Sequence, residues 1–181
     1  MLCPGMVNMK TLEIRRHSIR DHAGDHLNQN GVTLARLIGQ NSGPFDRVVT
    51  SALPRAFETA IAMGFAVDEQ TELLNTYGHA VEKEAPWPQT FDFYAEVLKH
   101  NGAPARYAGK LAKFHASIMD FISEGRSALV VTHGGVVELS IVGCLPGFDF
   151  SQWGDPVDYC EGARLYWDDK FVDAEVLRVN R

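Results

Sequence analysis

The sequence predicts an α/β fold: a three-layer sandwich with a mostly parallel central sheet, helices on both faces and a C-terminal β-hairpin. Strand-like and helix-like segments alternate along the chain, which favours a sheet covered by helices. Residues 48–50 and 128–132 are short runs of apolar and β-branched residues, typical of parallel strands buried on both faces. Residues 163–179 alternate around Asp168-Asp169-Lys170, which predicts a hairpin.

The individual elements follow from periodicity and from the residues that begin and end helices. Apolar residues at helical spacing predict a helix over residues 27–40. Pro54 suits the first turn of a second helix, which Gly64 would end. The other predicted elements are strands at 11–14 and 72–75, an aperiodic excursion over 78–90, and helices over 91–102, 104–124 and 136–145. One side of the helix over 104–124 would carry Tyr107, Leu111, Phe114, Ile118, Phe121 and Ile122.

Length and charge limit the class of protein. At 181 residues the chain can form one well-buried core, and we expect a loose tail over residues 1–10 and a single domain over residues 11–181, with an excursion near 78–105. The net charge of −6 argues against a nucleic-acid partner, which would require a basic surface. No segment approaches the ~18 apolar residues of a membrane span, so no membrane partner is expected.

The three cysteines, Cys3, Cys144 and Cys160, show no C-x-x-C spacing and cannot all pair with one another. This usage predicts reduced thiols, a cytoplasmic location and no cysteine metal site. The first residues lack a basic leader followed by an apolar run, so no signal peptide is expected.

Polar side chains follow three of the predicted strands. Arg15-Arg16-His17 follow the first, Ser51 follows the second, and His133 stands after residues 128–132 and before two glycines. Ligands of open α/β sheets bind beyond the carboxyl ends of the strands, so these side chains are expected to meet in one pocket. Concentrated positive charge in an acidic chain indicates that this pocket binds an anion.

The motifs at these positions resemble those of one family. RRHS at 15–18, TSALPRAFETA at 50–60 and VVTHGG at 130–135 are similar, in order and placement, to the motifs of the histidine phosphatase superfamily, with its phosphoglycerate-mutase-like fold and compact His-Gly-Gly branch. The resemblance implies a phosphatase that needs no metal or other cofactor. It would hydrolyse a phosphomonoester, or phosphohistidine, through a phospho-His17 intermediate.

The resemblance also implies roles for individual residues. His17 would be the nucleophile, and a neutral imidazole beside cations suits that role. Arg16 and Arg55 would bind the phosphoryl oxygens with their planar forks. His133 would add another donor, as an imidazolium. Arg20, three residues after His17, matches a phosphate-binding arginine of the acid-phosphatase and phytase branch.

The chain departs from the family in two places. Ser18 replaces the glycine after the nucleophile, where its Cβ and hydroxyl could narrow the phosphate cradle or donate to the phosphate. Leu74 stands where the mutase-like branch carries its acidic glutamate. Glu82 is the favoured general acid for the leaving oxygen, and Glu84, His79 or no acid at all are the alternatives.

Other interpretations remain open at this stage. A phosphomutase would hold the phosphoryl group for a second acceptor, and a weak or inactive phosphate-binding pseudoenzyme would keep the cations without turnover. The aromatic residues Trp87, Phe91, Phe93 and Tyr94 fit either a specificity cap or the core. The partner is a small phosphorylated substrate or a phosphoprotein, and no pattern specifies which of these it is, or the oligomeric state.

Overall fold

A computed structural model describes residues 8–22 and 24–179 of the chain. Its six-stranded sheet has the order β3-β2-β4-β1-β5-β6. The strands are β1 (Lys10–Arg16), β2 (Arg47–Ser51), β3 (Glu69–Thr71), β4 (Ser127–Thr132), β5 (Gly162–Trp167) and β6 (Phe171–Leu177). Most of the tail predicted over residues 1–10 lies outside the described residues, and β1 already begins at Lys10.

The sheet confirms the predicted fold class. Strands β3, β2, β4 and β1 are parallel neighbours, whereas β5 pairs antiparallel with both β1 and β6. The last two strands form the predicted C-terminal hairpin. Ile14 of β1 lies beside Val130 of β4, and both side chains are fully buried at the centre of the sheet.

Helices cover both faces of the sheet. They are α1 (Gln29–Gly39), α2 (Pro54–Met63), α3 (Gly78–Glu84), α4 (Phe91–Leu98), α5 (Ala103–Met119) and α6 (Val136–Cys144). Helices α1 and α2 close a small core over β2 and β4, while the other four contribute to a larger core over β1, β4 and β5. Parallel strands need cover on both faces because both of their faces are apolar.

Local signals account for the ends of α1 and α2. Asn28 caps α1, since its side chain accepts a hydrogen bond from the backbone N–H of Gly31. Pro54 occupies the first turn of α2, and Gly64 ends it in the left-handed conformation at φ 98°. Both features of α2 confirm the sequence prediction.

The chain between β2 and α4 differs from the prediction. The strand expected over residues 72–75 lies earlier, at β3, because the Thr71 side chain accepts a hydrogen bond from the backbone N–H of Leu73 and caps a 3₁₀ turn over Glu72–Leu74. The segment expected to be aperiodic contains α3. Such a short helix gives too few turns for an apolar period to show in the sequence.

The predicted long helix over 104–124 is wrong at its C-terminal end. Helix α5 stops at Met119, five residues before the predicted end. Phe121 therefore lies outside the helix and is 67% exposed, with the guanidinium of Arg47 over its ring at 4.6 Å. Phe121 continues the apolar spacing of α5 although it is exposed, so the sequence pattern predicts a longer helix than the structure contains.

The sheet order positions the polar motifs. Strands β2, β4 and β1 are adjacent and parallel, so their carboxyl ends lie side by side. Arg16, at the end of β1, lies opposite Thr132, at the end of β4. Ser51 ends β2, on the other side of β4. His17 and His133 follow directly on β1 and β4. No helix among the described residues is long and apolar enough to span a membrane.

Candidate active site

His17 is a buried, neutral imidazole whose Nε2 lone pair is available. Its Nδ1 lies 2.7 Å from the carbonyl oxygen of Ser18. A carbonyl can only accept, so Nδ1 carries the proton and Nε2 does not. Burial lowers the pKa of His17 to about 3, and the charges of Arg16, Arg55 and Arg20 act in the same direction.

Arg16 is held between two aromatic rings. Its guanidinium carbon lies 4.6 Å from the centre of the Trp87 ring and 4.3 Å from that of Tyr159. Its Nη1 donates to the carbonyl oxygen of Val157 at 3.2 Å, and the Asp158 carboxylate lies 3.6 Å away. The buried Nε has no hydrogen-bond partner among the described residues. This side chain is therefore oriented chiefly by its two faces and one carbonyl.

His133 is also neutral, with both ring nitrogens occupied. Its ring centre lies 5.1 Å from that of His17. Nδ1 accepts from Arg55 Nε at 3.2 Å, so Nε2 carries the proton and donates to Ser51 Oγ at 2.7 Å. Burial lowers the pKa of His133 to about 2, with the His17 and arginine charges adding to the effect. His133 is therefore neutral, in contrast to the imidazolium expected from the sequence.

Arg55 lies in the first turn of α2 and faces the two histidines. Its Nη1 forms an ion pair with Asp25 at 3.0 Å, and the Asp25 side chain is 66% exposed. Arg20 donates to the carbonyl oxygen of Gly24 at 2.8 Å rather than to any of these groups. Its charge nevertheless adds to the lowering of the pKa of His17, His133 and Arg55 that burial causes. The structure thus brings all three predicted arginines to one cluster with the two histidines.

Ser18 points away from this cluster. Its hydroxyl donates to the carbonyl oxygen of Gly31 in α1 at 2.8 Å, and its backbone N–H donates to Thr59 Oγ1 at 2.9 Å. The residue is fully buried. The residue that replaces the family glycine therefore places its side chain against α1.

Two aromatic rings form a roof over the turn after His133. A Cβ on Gly134 would lie 2.4 Å from the Trp87 ring, and one on Gly135 would lie 2.2 Å from the Tyr77 ring. Gly135 also has φ 81°, a conformation that other residues rarely adopt. The double glycine is therefore required by the packing of Tyr77 and Trp87, and no sequence pattern had indicated Tyr77 or Tyr159 as site residues.

Of the four aromatics considered for a cap, only Trp87 reaches the cluster. Phe91 and Tyr94 are fully buried, and Phe93 packs against the core beside them. The core interpretation thus holds for these three residues. The excursion near residue 87 nevertheless forms a wall of the site.

The structure leaves the acid candidates at the periphery of the cluster. Glu82 is exposed on α3, and its charge contributes to raising the pKa of the nearby Tyr77, after burial. Glu84 accepts from the backbone N–H of Ala103 at 3.3 Å, at the start of α5. His79 is exposed in the first turn of α3. Among the described residues, none of the three is hydrogen-bonded to His17 or His133.

The arrangement suits the binding of a dianion and an attack by His17. Three arginines surround a nucleophilic nitrogen, and a phosphoryl group spreads its negative charge over oxygens that such cations stabilise. Within residues 8–22 and 24–179, no group of three or more His, Cys, Asp or Glu side chains is placed to hold a metal ion.

Comparisons with solved structures find the same fold. A phosphoserine phosphatase from Entamoeba histolytica aligns with a TM-score of 0.66 at 17% identity, covering 94% of this chain and 98% of that one. A putative α-ribazole-5′-P phosphatase from Escherichia coli aligns with a TM-score of 0.63 at 22% identity, covering 95% and 97%. A phosphoglycerate mutase from Bacillus anthracis aligns with a TM-score of 0.64 at 18% identity, covering 98% and 95%.

No curated protein sequence matches the chain significantly. The model of one family, however, matches residues 10–180, which include both histidines and all three arginines of the cluster. Together with the confirmed fold, this match shows that the chain belongs to the histidine phosphatase superfamily, branch 1.

Proposed function

We propose that this protein is a metal-independent phosphatase that hydrolyses a phosphomonoester, or phosphohistidine, through a phospho-His17 intermediate. The main support for this proposal is the 2.7 Å contact between His17 Nδ1 and the Ser18 carbonyl oxygen. This contact leaves Nε2 unprotonated in a site whose cations are Arg16, Arg20 and Arg55. The low pKa of His17, about 3, keeps this nitrogen neutral across the physiological range.

The reaction would take place in two displacements. In the first, His17 Nε2 forms a bond to phosphorus while the bond to the leaving oxygen breaks, and Glu82 gives that oxygen a proton. In the second, water forms a bond to phosphorus and gives a proton to the Glu82 carboxylate while the P–N bond breaks, which releases phosphate and restores neutral His17 and protonated Glu82. Arg16, Arg20, Arg55 and His133 would stabilise the charge on the equatorial oxygens in both steps.

The substrate is proposed to be a small phosphorylated compound or a phosphoprotein. A cavity of about 560 Å³ beside Arg16 has Trp87, Trp153 and Asp158 in its wall. The similar structures include a phosphoserine phosphatase and a putative α-ribazole-5′-P phosphatase, so small phosphate esters are the first compounds to test. A cytoplasmic location is proposed from the cysteine usage, since the three cysteines show no C-x-x-C spacing and cannot all pair with one another.

The test is rapid mixing of the protein with a chromogenic aryl phosphate, with chelator present. We expect a fast burst of the phenol, proportional to enzyme, followed by steady turnover. His17→Ala should remove both phases, while His100→Ala, at an exposed histidine after α4, should retain them. Phosphate release at an unchanged rate in His17→Ala would refute the mechanism.

The remaining outcomes separate the alternatives. A burst without turnover would indicate a trapped phosphoenzyme and an acceptor other than water, as in a mutase. Binding of vanadate with no product from any ester would indicate a phosphate-binding pseudoenzyme. A second control uses a diphosphate primer, since a mutase would respond to it and a phosphatase would not.

A further inference from the structure

Glu138 is a buried carboxylate that the motifs do not account for. It lies in the first turn of α6 and is fully buried. Its neighbours in the helix are apolar and buried as well: Val136, Val137, Leu139, Ile141 and Val142. Burying a carboxylate in such surroundings costs free energy unless its oxygens are hydrogen-bonded, so both oxygens of Glu138 need donors.

Three N–H groups from three separate segments donate to Glu138. The backbone N–H of Gly135 donates to Oε2 at 2.7 Å. The backbone N–H of Val157 donates to Oε1 at 3.1 Å, and the indole Nε1 of Trp87 donates to the same oxygen at 3.3 Å. Both oxygens thus act as acceptors, which a carboxylate provides and an amide does not. Burial raises the pKa of Glu138, and the hydrogen bonds from Gly135, Val157 and Trp87 oppose that rise.

Two of these donors belong to the groups that orient Arg16. Trp87 lies against one face of the Arg16 guanidinium, and the carbonyl oxygen of Val157 accepts from its Nη1. Since Arg16 Nε has no partner among the described residues, its orientation depends on Trp87, Tyr159, Val157 and the Asp158 carboxylate. Glu138 therefore holds two of the four groups that direct Arg16, and its charge opposes the lowering of the Arg16 pKa by burial.

The third donor ties the same carboxylate to the second histidine. Gly135 lies two residues after His133, at the N-terminus of α6. A capping role toward Gly135 alone would explain Oε2. It would not explain why Oε1 receives the N–H groups of Trp87 and Val157, which are distant from each other in the sequence.

We propose that Glu138 is a positioning residue of this active site, whose buried carboxylate sets the orientation of Arg16 through Trp87 and Val157. The inference rests on the proposed function only in that Arg16 binds the phosphoryl group. It adds a residue that does not touch the substrate but determines how well one phosphate ligand is aligned. A small misalignment of the Arg16 guanidinium would weaken binding of the transition state more than binding of the substrate.

Vanadate binding provides the test, because it reports on the anion site without requiring turnover. Glu138→Gln keeps the size of the side chain but places an NH₂ group against N–H donors. Trp87→Phe removes only the donor and keeps a ring over Arg16. Ser140→Ala is the matched control, since Ser140 is buried in the same helix and its hydroxyl has no partner among the described residues.

We expect Glu138→Gln to bind vanadate at least tenfold more weakly at an unchanged stoichiometry, and Ser140→Ala to bind it within twofold of the parent chain. Trp87→Phe should weaken binding by a smaller factor. The double variant should lose less than the two single losses combined, because Glu138 acts partly through Trp87. In turnover of an aryl phosphate, kcat should fall by a larger factor than KM rises.

A purely structural role would give a different result. Glu138→Gln would then lower the number of vanadate sites, or the Tm, while the remaining sites kept the parent Kd, and that outcome would overturn the proposal. If Glu138→Gln fails to fold, Trp87→Phe decides: a Kd equal to that of the parent chain refutes the link.

Failure of the proposed function would be seen separately. A parent chain that binds vanadate but releases no product loses the phosphatase assignment, and the vanadate comparison still tests Glu138. A parent chain that binds no vanadate lacks the anion site, and both inferences then fall.

Discussion

The Nε of Arg55 lies 3.2 Å from Nδ1 of His133, so a cation donates to the histidine nitrogen that faces the cluster. In this arrangement His133 cannot donate to a phosphate, because Nδ1 has no proton and Nε2 is bonded to Ser51. For His133 to donate to a bound dianion, the partner of Arg55, the protonation of His133, or both must therefore change.

Proton uptake on binding would report this change. Burial lowers the pKa of His133 to about 2, so the residue is neutral at pH 7. A dianion bound beside it would raise that pKa. We expect uptake of up to one proton per vanadate, measured by calorimetry in buffers of different ionisation enthalpy. His133→Asn should abolish the uptake; equal uptake in this variant would assign the proton elsewhere.

Asp25 is predicted to compete with a bound phosphate group for Arg55. Its exposed carboxylate lies 3.0 Å from Nη1, and exposed pairs of this kind contribute up to about 1 kcal/mol. Asp25→Asn should therefore tighten vanadate binding by up to about fivefold at low salt, and by less at high salt. Asp21→Asn, at a carboxylate that accepts from Asn28 instead, is the control. Unchanged affinity at low salt would argue against competition.

Ser18 is predicted to matter for stability and not for phosphate binding. Its hydroxyl donates to Gly31 in α1, away from the anion cluster. Ser18→Ala should lower the free energy of unfolding by about 1 kcal/mol, the usual contribution of a hydrogen bond, and leave the vanadate Kd within twofold. Denaturant unfolding and calorimetry measure the two quantities. A large loss of affinity would place the hydroxyl at the phosphate.

The role of Glu82 can be tested through the leaving group. If Glu82 protonates the leaving oxygen, Glu82→Gln should slow alkyl phosphates at least tenfold more than aryl phosphates, which need less help from an acid. Glu84→Gln is a matched control, because Glu84 is occupied by the backbone N–H of Ala103. Equal effects of Glu82→Gln on both substrates would exclude this role.

His115 should make the protein less stable in acid. It is fully buried in α5, neither ring nitrogen has a partner among the described residues, and burial lowers its pKa to about 3. Between the ordinary pKa of 6.5 and pH 3, the unfolded chain takes up a proton that the folded chain does not, so the free energy of unfolding falls as the pH falls.

A variant isolates this contribution from those of His17 and His133. His115→Leu should remove up to one proton from the proton uptake on unfolding. The slope of the unfolding free energy against pH should therefore fall by up to about 1.4 kcal/mol per pH unit. Equilibrium unfolding in urea between pH 4 and pH 7 measures it. His100→Leu, at an exposed position, should keep the parent slope.

The sequence predicted the sheet and the ends of its central strands because these strands are short, apolar and followed by polar motifs. The order of β1, β4 and β2 then explains why three distant motifs meet. Helix α3 and the end of α5 were missed, because a helix of seven residues has little period and Phe121 continues an apolar spacing beyond the true end.

Within the candidate site, the motif residues could be predicted and their supports could not. Tyr77, Tyr159 and Glu138 belong to no motif, and each contributes through a contact between segments far apart in the chain. Asp25 was also missed, since an exposed carboxylate in a polar stretch carries no signal of its own. Such contacts depend on tertiary packing, which no local pattern encodes.

Thr59 Oγ1 joins the first two motifs through a single atom. It donates to the carbonyl oxygen of Arg55 one turn earlier in α2, at 2.6 Å, and it accepts from the backbone N–H of Ser18. The four-residue interval from Arg55 to Thr59 therefore determines the position of Arg55 along the axis of α2 relative to Ser18, the residue after His17. One inserted residue would rotate Thr59 by about 100° around the helix and detach α2 from β1 at this point, although every motif residue would still be present.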